Sequence, residues 1–174
     1  MATMNYSANS LPQVPLMPAP QQLTSRLSYG KAQEEVMLLA LSSCPELDVR
    51  YSYEIDTIYK LDAVVLVRER PLLPAVGVQF TTKHDEDKMR RTIDLIRRTR
   101  IVTRLLYLES ECRLGLHAFD IIRTLVLFTA TTKPGQDIVT AVLTKDDQGQ
   151  FVCPYRDLHC FSMEAVPATV PLAA

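Results

Sequence analysis

Asp62, Gln79 and Thr81 are the residues of this chain whose types and spacing could do chemistry. Asp62 falls in the run Lys60-Leu61-Asp62-Ala63-Val64-Val65-Leu66-Val67, and the other two in Ala75-Val76-Gly77-Val78-Gln79-Phe80-Thr81-Thr82-Lys83. Both runs are rich in Val and read as neighbouring strands. Side chains alternate faces along a strand, so Gln79 and Thr81 point one way while Val76, Val78 and Phe80 fill the opposite, buried face. An acid, an amide and a hydroxyl are thereby brought near one another. Carboxylate and amide oxygens suit a hard divalent cation such as Mg²⁺, and a cation so held can polarise a phosphoryl oxygen and activate water. Asp62 also admits a plainer reading, as a polar residue at a strand entrance that caps a neighbouring backbone amide. An acid among apolar strand residues costs free energy unless it is paired or metal-bound, which favours a functional role.

The elements that must position these groups follow from the pattern of apolar residues. A helix is predicted from about Ser28 to Ser42, opened by Ser28 as N-cap and closed by Ser42-Ser43-Cys44-Pro45. Its apolar stripe is read as Ala32, Val36, Leu39 and Ala40, which sets Glu35 at the border of the buried face and turns Glu34 elsewhere. Val49, Tyr51, Tyr53 and Ile55 alternate with polar residues and predict a half-buried strand, followed by a more continuously apolar strand over Ile58 to Val67. Pro71 and Pro74 separate that strand from the one over Val76 to Thr82. Asp85 and Asp87 favour a helix start, with Met89, Ile93 and Ile96 at helical spacing through about Thr99. Strand character returns over Val102 to Leu108. His117 to Phe128 predicts a helix, and a hairpin joins Ile138 to Thr144 with Phe151 to Val152 through Asp146-Asp147-Gln148-Gly149. The sum is an α/β or α+β core with a mixed sheet flanked by helices.

Size and composition set bounds. A chain of 174 residues with 47% hydrophobic content fits one domain with its own core, expected over residues 25–163. Residues 1–24, rich in Pro and Gln, and residues 164–174 read as disordered tails. Nineteen Lys plus Arg against twenty Asp plus Glu leave a net charge of -1, so any contact with DNA must come from a local patch rather than a global field. No apolar run approaches the ~20 residues that span a bilayer. No secretory pattern precedes the four cysteines, so a soluble, cytoplasmic protein with reduced thiols is expected.

Arg90, Arg91, Arg97 and Arg98 flank the apolar stripe of the second long helix, where they would meet phosphates; the alternative is a solvated face balanced by Asp85, Asp87 and Asp94. Cys153, His159 and Cys160 lack the paired spacing of a zinc module. His84 follows the site strand directly and suits either a proton carrier or an ordinary loop residue. No Gly-rich phosphate loop or nucleophile elbow is present.

Element order and residues together resemble the restriction-endonuclease-like, PD-(D/E)xK, superfamily. The resemblance spans about residues 28 to 109 and implies a core of order α-β-β-β-α-β, here with a C-terminal helix and hairpin. It implies Glu35 as the helix acid, Asp62 as the strand acid and Gln79-Phe80-Thr81 as the (D/E)-x-K strand, with Asp62 and Gln79 as ligands of Mg²⁺. Thr81 departs from the pattern, because a hydroxyl supplies neither the charge nor the reach of an ammonium; Lys60 and Lys83, each two residues from a site position, are the candidate replacements, the alternative being ordinary strand-end lysines in solvent. Three functions follow as expectations: a non-catalytic DNA-binding, assembly or regulatory module; a Mg²⁺-dependent endonuclease with a relocated lysine; or an adaptor for a protein partner or homodimer, through a strand edge or the Leu125 to Phe128 segment.

Overall fold

The computed structural model describes residues 29–166. The expected tail over 1–24, the Ser28 cap and the end of the C-terminal tail lie outside the described residues. In chain order the elements are α1 (Tyr29–Ser42), β1 (Leu47–Arg50), α2 (Tyr53–Tyr59), β2 (Ala63–Val67), β3 (Val76–Thr81), α3 (Glu86–Thr99), β4 (Arg104–Glu109), α4 (Phe119–Ala130), β5 (Ile138–Val142), β6 (Thr144–Lys145), β7 (Phe151–Val152) and β8 (Leu158–Phe161). Six strands form one mixed sheet in the order β1-β2-β3-β4-β5-β8. The β1, β2 and β3 strands run as an antiparallel meander, β3, β4 and β5 are parallel, and β8 closes the edge antiparallel to β5. The expected α/β class, a mixed sheet flanked by helices, is what the chain adopts.

Strand alternation divides the core in two. Val76, Val78 and Phe80 of β3, with Leu106 and Leu108 of β4, meet Met37, Ala40 and Leu41 of α1 and Ile122, Leu125 and Val126 of α4. On the opposite side Val64 and Leu105 meet Ile93 and Ile96 of α3, with Ile55 and Tyr59 of α2 against them. Gln79 and Thr81 alternate with the first set and so face the α2 and α3 side. Arg104 reaches Asp137 and the Thr132 carbonyl, which pins the start of β4 beside the start of β5.

Several predicted elements change. The alternating stretch around Tyr53 is a helix rather than a strand. Ser52 caps it, accepting the Ile55 N–H at 3.2 Å, with Glu54 and Asp56 in the first turn, and Ile55 and Tyr59 point inward four residues apart. Lys60 ends α2 in the left-handed region (φ 55, ψ 37), so β2 begins only at Ala63. The long arm predicted for the C-terminal hairpin belongs to the main sheet as β5; the turn itself joins β6 to β7, with Asp146 Oδ1 accepting from Gln148 and Gln150 and Gly149 at φ 75. Strand β8 was not anticipated. Leu125 and Val126 are core residues of α4, so the Leu125 to Phe128 segment offers only Phe128 as a well-exposed apolar group.

The side chains of Leu61, on the chain entering the site, and of Val102 pack over Gly77 of β3. A Cβ there would stand 3.0 Å from Leu61 Cδ1 and 3.0 Å from Val102 Cγ2, both buried and hemmed in. Gly77→Ala is expected to destabilise the fold by about 1–3 kcal/mol through overpacking. The check is urea unfolding, and a loss below about 0.5 kcal/mol, the range of bland surface changes, would show that these side chains yield.

Candidate functional site

Asp62 follows the left-handed turn at Lys60, and its backbone N–H donates to the Val78 carbonyl at 2.9 Å, which sets it against the end of β3. Its Oδ2 accepts two hydrogen bonds, from the Phe80 N–H at 2.5 Å and from Gln79 Nε2 at 2.9 Å. Gln79 Nε2 also donates to the Phe80 carbonyl at 3.0 Å. Two acceptors therefore fix the amide with its nitrogen toward Asp62, since a reversed amide would set oxygen against oxygen. The two expected partners do converge, and both are buried. The capping role for Asp62 is also realised, on the Phe80 amide.

Around this pair lies a hollow of about 210 Å³ whose wall includes Glu34, Asp56, Lys60, Thr81, Thr82 and Lys88. Glu35 is not among them. It is exposed, while Glu34 is half-buried and turned inward. The inward face of α1 is Gln33, Met37, Ala40 and Leu41, one residue out of phase with the stripe read from the sequence. The cause is Gln33: its Oε1 accepts the Leu114 N–H, so a polar residue occupies a core position and breaks the apolar pattern. Lys31 bridges the acids of this rim, 2.6 Å from Glu34 and 3.8 Å from Asp56.

The lysine question has a clear geometry. Thr81 lines the hollow, but its hydroxyl donates to the Lys83 carbonyl at 2.8 Å, and Lys83 itself is exposed and not part of the wall. Lys60 is part of it, as the C-cap of α2 rather than as a strand residue. Lys88 was missed. It stands in the first turn of α3, where Asp85 as N-cap accepts the Lys88 N–H at 2.8 Å, and it borders the hollow from that side. The signal available in the sequence was helical phase, because Lys88 lies on the side of α3 away from Met89 and toward Arg91.

Lys60 and Lys88 also line a second, adjoining groove of about 400 Å³ with Arg91, Asp94, Leu95 and Arg98. Of the four arginines expected to meet phosphate, Arg91 and Arg98 are exposed along this groove. Arg90 pairs with Glu86 at 3.5 Å, away from it. Arg97 is structural: it binds Asp94 at 3.2 Å and the carbonyls of Met163 and Val166, tying the segment after β8 to α3.

Burial dominates the electrostatics of Asp62 and pushes its carboxyl up to about 7, with Glu34 and Asp56 adding to the rise; the Phe80 N–H and the Lys88 ammonium pull the other way. As arranged, the donors form a hydrogen-bonded carboxyl network. The Gln79 amide offers Asp62 a proton rather than a neighbouring ligand oxygen. Among the described residues no three His, Cys, Asp or Glu side chains are grouped to hold a metal ion. Comparison with protein-family models, curated proteins and solved structures finds no match for the chain. Among the described residues, no helix is long and apolar enough to cross a membrane.

The raised carboxyl has a testable sign. A folded-state value above the ordinary 3.8 means that the native state binds the extra proton between 3.8 and about 7, so stability falls as pH rises through that window. Asp62→Asn is expected to remove that part of the slope, worth on the order of a few kcal/mol between the two limits. Urea midpoints at pH 5 and pH 8 measure it; parallel profiles for the two proteins would contradict the assignment.

Proposed function

We propose that this protein is a nucleic-acid-associated module, built on a degenerate restriction-endonuclease-like core, that holds a phosphate backbone along α3 without cutting it. The observation that carries this reading is the continuity of the basic groove with the carboxyl hollow through Lys60 and Lys88. Lys88, Arg91 and Arg98 fall on one side of α3 over eleven residues, about 15 Å of helix from first to last. That is long enough to follow several nucleotides of one strand at about 3.4 Å each. The core order α1-β1-β2-β3-α3-β4, interrupted only by α2, supports the same ancestry. Asp62, bound by Gln79 and Phe80, then serves to hold β2 against β3, and the lost lysine at Thr81 carries no penalty in a protein that does not hydrolyse its ligand.

The expected result is binding of DNA or RNA that weakens steeply between 50 and 200 mM salt, measured by fluorescence anisotropy with single- and double-stranded probes. Lys88→Ala, Arg91→Ala and Arg98→Ala should each reduce the salt slope by about one unit. Arg97→Ala should act differently, lowering stability. Absence of retained nucleic acid, or binding indifferent to salt and to these variants, would remove this reading and leave the protein-partner alternative.

A second reading, Mg²⁺-dependent hydrolysis of a phosphodiester, is favoured by one observation: Lys60 and Lys88 bring ammonium groups to the hollow that Thr81 leaves without one. Asp62, Glu34 and the Gln79 amide would then hold the cation, after Gln79 turned its oxygen inward. Nicking of plasmid DNA with Mg²⁺ or Mn²⁺ that vanishes in both Asp62→Asn and Lys88→Ala would replace the first reading with this one.

A further inference from the structure

A third cavity, of about 510 Å³, lies on the same side of the sheet, and neither reading above uses it. Asp85, the N-cap of α3, and Met89, four residues on, border it, whereas Lys88 and Arg91 face the basic groove. Its floor is a row across three strands, Tyr107 on β4, Thr140 on β5 and His159 on β8, with Glu109 and Val142 in the next row. Glu109 and Val142 are the last residues of their parallel strands, and ligands of open α/β sheets sit at the carboxyl ends of parallel strands. The volume falls within the range of small-molecule sites, and the lining combines apolar walls with a few convergent polar groups, as such sites do.

The charges on that lining select the ligand. No Lys or Arg borders the cavity, while Asp85, Glu109 and Asp157 do; against these three acids stands His84, whose hydrogen bond with Glu109 favours its cationic form. The positive N-terminal end of α3 would draw an anion, but it is already met by the Asp85 carboxylate capping the Lys88 N–H and by Glu86 and Asp87 in the first turn. Glu109 is nearly buried and is engaged from the solvent side by His84, whose Nδ1 lies 3.0 Å from Oε2. A carboxylate offers about four acceptor positions, so this contact leaves capacity for a second donor. Met89, Tyr107, Val142 and Phe161 supply the apolar surface.

We propose that this cavity binds a small amphipathic organic cation, an amine whose ammonium meets Glu109 beside His84 and whose apolar or aromatic body lies against Tyr107, Met89 and Phe161. The proposal is independent of nucleic-acid binding. Three probes of one shape and different charge test it on the full chain: phenethylamine, 2-phenylethanol and phenylacetate, titrated at pH 7 and constant ionic strength. The readout is the amide resonances of Glu109, Thr140, Val142 and His159.

Phenethylamine should give saturable shifts at these positions and bind about tenfold more tightly than the alcohol, the effect of one charge-assisted contact, with phenylacetate weaker still. Glu109→Gln should bring amine and alcohol to equal affinity, and Thr140→Trp, which fills the space, should abolish binding of all three. If Glu109→Gln loses native dispersion, the probe series on wild type and Thr140→Trp decides the matter. Phenylacetate binding as tightly as the amine, amine shifts unchanged by either variant, or no saturable shift with any probe would overturn the proposal.

Discussion

A carboxyl group buried between two strands is the constraint around which the central part of this molecule is arranged. Asp62 is largely shut off from solvent where it sits, and its Oδ2 is met by protein donors, the Phe80 N–H and the Gln79 amide. That requirement fixes several other features. The chain must leave α2 sharply enough to bring residue 62 level with residue 80, which the left-handed Lys60 achieves. Leu61 must fill the space beside Gly77, and Gln79 must point to the α2 and α3 side with its nitrogen turned to the acid. Removing the carboxylate would leave a buried backbone donor and a buried amide in search of partners, at a cost of about 1–3 kcal/mol for each group left unpaired.

The charges outside that pair are segregated by the helices that present them. Helix α3 carries Lys88, Arg91 and Arg98 toward one groove and Asp85 and Met89 toward the other cavity. Two neighbouring surfaces of opposite electrostatic character thus share one helix, in a chain whose net charge is only -1. Arg97 keeps α3 in place by donating to two carbonyls of the segment after β8, so one residue of the arginine run serves packing.

Much of this was readable before any coordinates. The convergence of Asp62 with Gln79, the α3 helix with its Asp85 start, and the mixed sheet all follow from apolar period and strand alternation, which long regular segments express strongly. The failures share a physical origin in tertiary context. Gln33 is a polar residue whose amide satisfies a backbone N–H inside the core, so the true inward face of α1 carries a polar label and the acid was placed one residue late. At Tyr53 a side-chain cap outweighed an alternating pattern that four residues could not make decisive. Strand β8 is short, contains a histidine and a cysteine, and gains its strand identity from pairing with β5 rather than from its own composition. Arg97 and Arg98 are adjacent and chemically identical, and only the position of a distant carbonyl pair separates their roles.

Lys88 belongs to two hollows at once, and this dual membership couples them. Its ammonium is a cation that draws Asp62 toward the ionised form. Any anion that neutralised Lys88 would weaken that influence and so favour the protonated carboxyl. The charge state of Asp62 and the charge borne by Lys88 are thus linked across the β2–β3 junction, each altering the free energy of the other.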